Sequence, residues 1–135
     1  MYPRILLIDD DDDDQFIFLA ALEDVAPDSQ CHVSNSALEA FQYLRAVAET
    51  PDMLFVDLNM PLMNGFEFLL ILKGDPRFSP IPVIIFSTSD NPEDLERAKG
   101  LGAVQFITKT ADIQLLKKDL RHIFNSATVM ESLIH

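Results

Sequence analysis

Three apolar runs in this chain, and a fourth strand-like segment broken by one glutamine, each end in a residue that can do chemistry. Ile5-Leu6-Leu7-Ile8 stops at Asp9 and Asp10, Met53-Leu54-Phe55-Val56 at Asp57, Val83-Ile84-Ile85-Phe86 at Ser87, and Val104-Gln105-Phe106-Ile107 at Thr108 and Lys109. Apolar runs of this length without alternation read as strands covered on both faces. A single polar residue at a strand tip ordinarily caps a turn. The same ending on four strands means more, because parallel strands bring their C-terminal tips to one edge of the sheet, where diverging loops leave a crevice. Three carboxylates gathered there would repel one another as they lose water, which calls for a divalent cation, and an all-oxygen set suits Mg²⁺. A serine hydroxyl and a compact lysine charge suit phosphoryl oxygens better than a neutral substrate. Carboxylate, cation, hydroxyl and ammonium together are the equipment for forming an acyl phosphate on an aspartate.

The intervening segments must position these tips. Pro61 cannot continue a ladder and Gly65 permits a sharp turn, so the chain leaves the sheet after Asp57 and restarts as a helix near Phe66. That helix carries Phe66, Leu69, Leu70 and Leu72 and ends at Lys73-Gly74. The first strand is followed by six aspartates, Asp9 to Asp14. Asp11 to Asp13 read as a solvated loop, and the later members suit a helix N-terminus. The helix beyond is expected to turn Phe16, Leu19, Ala20 and Glu23 to one side, with Ile17, Ala21 and Leu22 broadening the apolar face, until Pro27.

Cys31-His32-Val33 reads as a strand, with no role for His32, and Ser36-Ala37-Leu38-Glu39 has the form of a capping box. The second helix is expected to run to about Ala48 on Ala40, Phe41, Leu44, Val47 and Ala48. Asn91-Pro92-Glu93-Asp94 opens a fourth helix with Leu95 and Ala98 inward, closed by Gly100 and Gly102. A fifth carries Ile113, Leu116, Leu120 and Ile123, with Lys117, Lys118 and Arg121 toward its end. Five strands alternating with five helices predict a doubly wound α/β domain with a parallel sheet, because right-handed crossovers place helices on both faces.

The 135 residues suit one domain. A net charge of −12 repels nucleic-acid phosphates and anionic lipid surfaces, so neither nucleic acid nor membrane is an expected partner. The single cysteine, Cys31, cannot close an internal disulfide, and no signal-peptide pattern or membrane-length apolar stretch stands in the sequence. A cytoplasmic protein is expected.

These residues resemble those of a response-regulator receiver domain of two-component signalling, of the CheY-like single-domain type. The resemblance rests on Ile8-Asp9-Asp10, on Asp57-Leu58-Asn59-Met60-Pro61 with Gly65, on Ser87 after its apolar strand, and on Gly102-Ala103 leading to Phe106 and Lys109. It covers residues 1–125, leaving 126–135 as a tail that extends or follows the last helix. It implies a flavodoxin-like strand order of 2-1-3-4-5. It also implies Asp57 as phospho-acceptor, Asp9 and Asp10 as an acidic pair holding Mg²⁺, and the Asn59 backbone carbonyl as a further ligand. Ser87 would bind the phosphoryl group and signal its arrival, Phe106 would be the switch aromatic, and Lys109 would pair with phosphoryl oxygens. The implied partners are a histidine kinase or phosphotransfer protein as donor and a target on the face of helix four, strand five and helix five. No enzyme activity is implied beyond Mg²⁺-dependent self-phosphorylation and self-dephosphorylation.

Two positions depart from the family's pattern. Thr88 follows Ser87 where a smaller alanine is common, and Thr110 follows Lys109 where proline commonly sits in a cis bond. A non-proline cis bond costs about 2.5–4 kcal/mol, so a trans Lys109–Thr110 bond is expected, with Lys109 still pointing at Asp57 and the Thr110 hydroxyl suited to capping the last helix. Two other functions compete. An aspartyl-phosphate phosphohydrolase is disfavoured by Asn59, which stands where a second acid would be needed, and by the lack of chain for a substrate cap. A flavodoxin-like cofactor binder is disfavoured by a first loop of aspartates that repels phosphate.

Overall fold

The structure is a computed structural model and describes residues 3–126. Because successive strand residues face opposite ways, each apolar run supplies two layers of core. The strands are β1 (Arg4–Ile8), β2 (Gln30–Ser34), β3 (Met53–Val56), β4 (Val83–Ser87) and β5 (Gln105–Thr108). They form one parallel sheet in the order β2-β1-β3-β4-β5, the predicted order. The helices are α1 (Asp12–Val25), α2 (Ala37–Ala46), α3 (Gly65–Lys73), α4 (Pro92–Gly100) and α5 (Ile113–Phe124).

Leu6, Ile8, Leu54, Val56, Val83 and Ile85 pack under α2, α3 and α4, while Ile5, Leu7, Met53, Phe55, Ile84 and Phe86 pack under α1 and α5. The second layer is built around Phe18, whose ring centroid lies 4.9 Å from that of Phe55 and 5.4 Å from that of Phe86. Truncating such a fully buried aromatic costs about 3–5 kcal/mol. This clamps α1 to the strands that carry the site. At its far end α1 is tied to α5 by Asp24, which lies 3.2 Å from Lys117 and 3.6 Å from Arg121.

Several local expectations are corrected. α1 buries Phe18, Ala21 and Leu22, not the side that includes Phe16 and Glu23, and Phe16 is 74% exposed. The stretch Phe16 to Leu22 is apolar all round the helix, so hydrophobicity alone left two faces open, and contact with Phe55 and Phe86 decides between them. The same ambiguity in α3 puts Phe68 inside with Phe66, Leu69 and Leu72, and leaves Leu70 exposed. α2 ends at Ala46: Val47 turns to extended backbone as the C-cap and Ala48 is exposed. Its capping box is half formed, with Ser36 accepting from the Glu39 amide but the Glu39 carboxylate accepting from Asn35.

Asp11 is the α1 N-cap instead of a freely solvated loop residue, accepting from the amides of Asp13 and Asp14. Leu95 is half-buried where Ala98 is fully inside. The Lys109–Thr110 bond is trans, as expected, and no cis bond occurs among the described residues. The N-cap of α5 is Asp112, however, and the Thr110 hydroxyl accepts the Asp112 amide at 3.0 Å. Beyond Ser126 the expected tail lies outside the described residues.

Candidate functional site

All four polar tips meet at the C-terminal edge of the sheet. Asp9 leaves β1 with its amide bonded to the Ser34 carbonyl, and Asp57 leaves β3 with its amide bonded to the Ile8 carbonyl, so backbone pairing continues just far enough to set both carboxylates side by side. The two are almost wholly buried, whereas the neighbouring Asp10 is exposed. One carboxylate oxygen from each of Asp9, Asp10 and Asp57 lies within 4.8 Å of the others.

Lys109 reaches into this cluster from the end of β5. Its amide donates to the Ser87 carbonyl at 2.8 Å, its ammonium lies 5.4 Å from the centroid of the Phe86 ring, and its side chain is only 6% exposed. The ammonium donates to Asp57 Oδ2 at 3.1 Å and to Asp14 Oδ2 at 2.8 Å. It also lies 2.8 Å from the buried Asp9 Oδ2, an ion pair between two almost wholly buried groups. Asp9 Oδ1 accepts from the Asp11 amide, and Asp57 Oδ1 from the Asn59 amide at 3.1 Å.

Burial pushes the Asp9 carboxyl up to about 6, opposed by Lys109 and the Asp11 amide and reinforced by the Asp57 charge. For Lys109 burial works against the ammonium, but Asp14, then Asp9 and Asp57, outweigh it and hold the group above the ordinary lysine range. Among the described residues the site is therefore a sheet edge where carboxylates outnumber the one buried cation that reaches them.

An oxygen-seeking divalent ion fits these residues. Three carboxylate oxygens, from Asp9, Asp10 and Asp57, converge within 4.8 Å of one another with the Lys109 ammonium as counter-charge to Asp9 and Asp57, and the exposed Asp10 leaves one side open for the water that a hard cation retains. Ser87, nearly fully buried, accepts weakly through Oγ from the Asn59 side-chain amide at 3.5 Å and from the Ser89 amide at 3.4 Å. Phe106 is half-buried against the layer under α4. All the predicted side chains except Phe106 thus belong to one polar edge, with Phe106 packed on the neighbouring layer.

Asp14 and Gln15 escaped the sequence reading. Gln15 donates to the Asp9 carbonyl at 2.6 Å and to Asn35 at 2.7 Å, bracing the first loop. Asp14 was hidden in a run of like residues. Its signal was positional, since an acid three residues beyond an N-cap turns back toward the helix N-terminus, and here α1 begins at the site. The hollow lined by Arg4, Cys31, His32 and Tyr43 is at the other ends of the strands and shares nothing with this chemistry; His32 is stacked on Tyr43 with ring centroids 3.8 Å apart.

A doubly wound sheet with an acidic, lysine-bearing edge defines the class of protein, and comparison with known sequences defines the family. The response regulator receiver domain matches residues 5–121. This chain belongs to that family, the phospho-acceptor signalling modules of two-component systems. It is 34% identical over 124 residues to the two-component response regulator ORR1 of Oryza sativa subsp. indica, covering 85% of this chain and 54% of that protein. The chain thus spans about half the length of that rice regulator. It is 31% identical over 93 residues to the chemotaxis protein CheY1 of Helicobacter pylori, covering 69% of this chain and 74% of that one. Among solved structures it is similar to the phosphorylated cyanobacterial phytochrome response regulator RcpA, with a TM-score of 0.83, 31% identity and 92% of each chain covered. The Mn²⁺-bound response regulator Rcp1 superposes with a TM-score of 0.79 at 26% identity, covering 90% of this chain and 91% of that one. No helix among the described residues is long and apolar enough to cross a membrane.

Proposed function

We propose that Asp57 accepts a phosphoryl group from a histidine kinase or phosphotransfer protein, and that the modified domain presents an altered surface to a target. The observation that carries this is the buried Asp57 carboxylate, hydrogen-bonded to Lys109 on one oxygen and to the Asn59 amide on the other, beside Asp9 and Asp10. An Asp57 oxygen attacks phosphorus, the bond from phosphorus to the donor breaks, and the donor leaves with that electron pair. Lys109 and the Asn59 amide orient the acceptor, and burial under the loops restrains water from competing.

Asp9, Asp10 and Asp57, with the Asn59 backbone carbonyl, would hold Mg²⁺. When bound, the ion neutralises carboxylate repulsion and the charge on the incoming phosphoryl oxygens. The Mn²⁺-bound relative supports a divalent ion here. Ser87 would meet a phosphoryl oxygen and Phe106 would turn inward as Ser87 moves, changing the surface of α4, β5 and α5. Turnover of a separate substrate forms no part of this reading, which is limited to self-phosphorylation and self-dephosphorylation. A reducing cytoplasm suits it, with Cys31 a free thiol whose proton burial retains up to about 12.

The test is incubation with acetyl phosphate and Mg²⁺ followed by intact mass. Wild type gains one phosphoryl mass, and Asp57→Asn or excess EDTA abolishes the gain. Labelling that persists in Asp57→Asn or in excess EDTA refutes the assignment.

A further inference from the structure

We infer that Asp14 is a positioning residue for Lys109, holding its ammonium at the mouth of the site once a cation has claimed the other carboxylates. The inference takes its consequence from the phospho-acceptor reading above, but its first test does not depend on that reading.

Lys109 has three N–H donors on a flexible four-carbon stem. The root of that stem is fixed by the bond from its amide to Ser87, but the trans link to Thr110 does nothing to aim the tip. Three acids surround the ammonium, Asp9 and Asp14 at 2.8 Å and Asp57 at 3.1 Å, yet they are not equivalent. Asp9 and Asp57 belong to the cluster of acids whose oxygens converge within 4.8 Å, and Asp14 does not.

A divalent ion in that cluster would draw on the charge of Asp9 and Asp57 and repel the lysine besides. Asp14 alone would keep its full charge for Lys109. It comes from another element, the first turn of α1, and its side chain is 28% exposed against 6% for the lysine it grips. With one N–H anchored on Asp14, the remaining donors can turn to an arriving phosphoryl oxygen without the ammonium escaping to solvent. The placement of α1 supports this anchor, since Phe18 binds it to β3 and β4, and Asp24 binds its far end to α5.

The first test is the Lys109 ammonium resonance in ¹⁵N-lysine-labelled, Mg²⁺-loaded protein, assigned by its loss in Lys109→Met. Wild type should show a signal protected from exchange with water. Asp14→Asn should lose that protection while the backbone amide spectrum stays native, and Asp14→Glu should restore part of it. A Lys109 signal equally protected in Asp14→Asn would overturn the inference.

The second test is the initial rate of labelling by acetyl phosphate in a double-mutant cycle. Asp14→Asn should slow the wild type about tenfold and leave the Lys109→Met protein unchanged. Equal slowing in both backgrounds would show that Asp14 acts as a bulk charge and not through the lysine. If wild type takes no label at all, the phospho-acceptor reading falls, and the ammonium signal still decides what Asp14 does.

Discussion

A methyl group on Gly65 would lie 2.5 Å from the carbonyl oxygen of Asp57 and 2.8 Å from the Cα of Leu58. Both are backbone atoms with little freedom to retreat, and the Gly65 amide donates to the Leu58 carbonyl at 3.0 Å. The first residue of α3 is thus pressed directly onto the backbone that carries the acceptor aspartate. Glycine is needed here for close approach in addition to the sharp turn expected of it, and its φ is not left-handed. Asn64 and Glu67 lock the helix start with a full capping box.

Gly65→Ala should therefore destabilise the domain by about 1–3 kcal/mol, as overpacking against rigid neighbours does. Urea unfolding measures it. A midpoint equal to wild type would mean that α3 moves away freely and does not hold the loop.

Leu62 presents the opposite case. Its φ is 68° and its side chain is fully exposed, so a branched residue occupies left-handed backbone without burying anything in return. Asn tolerates that conformation better, and Leu62→Asn should raise stability by about 0.5–1 kcal/mol. A fall in stability would show that the leucine is held by a contact within the domain.

Asp9 sets a pH dependence in metal-free protein. Its folded value of about 6 lies above the ordinary 3.8, so the folded state holds its proton more tightly than the unfolded chain does. That contribution is fully present below the unfolded value and is lost as pH rises through about 6. At neutral pH the buried carboxylate costs up to about 3 kcal/mol. Asp9→Asn should remove this part of the slope, so that raising the pH from 4.5 to 7 destabilises wild type relative to the variant. Parallel profiles in chelator would contradict the assignment. Mg²⁺ should reverse the effect in wild type, because it favours the ionised carboxylate.

Beryllium fluoride, a phosphoryl mimic, tests the switch. Amide shift changes should reach α4, β5 and α5, and Ser87→Ala should shrink those beyond the acceptor loop while leaving those at Asp57. Changes confined to Asp9, Asp57 and Asn59 in wild type would rule out a path through Ser87 and Phe106.

Much of the fold was legible because each buried run is short and ends in a residue the core cannot accept. Asp57, Ser87 and Lys109 mark strand tips by that rule, and Asn91-Pro92 and Gly102 mark the ends of α4 by backbone chemistry. Which face of α1 turns inward was not legible, since Phe16, Ile17, Phe18 and Leu19 are all apolar and only packing separates them. Nor was Asp14, because a run of identical acids has no internal contrast. Its role depends on Lys109, 95 residues away in the chain. The N-cap at Asp112 was missed because Thr110 offered an equally suitable hydroxyl two residues earlier.

The aspartates exposed at the start of α1 also bear on how charged molecules would approach. Asp10, Asp11, Asp12 and Asp13 are exposed where the chain passes from Asp9 into the first turn of α1, on a chain of net charge −12. Their field reaches roughly 8 Å into physiological saline before it is screened. A small anionic donor must approach against that field, so its capture quickens as salt is added, whereas a donor protein with a basic docking face is drawn in and slows under the same change. On the phospho-acceptor reading, such an acidic collar would favour delivery by a protein over scavenging of free acyl phosphates.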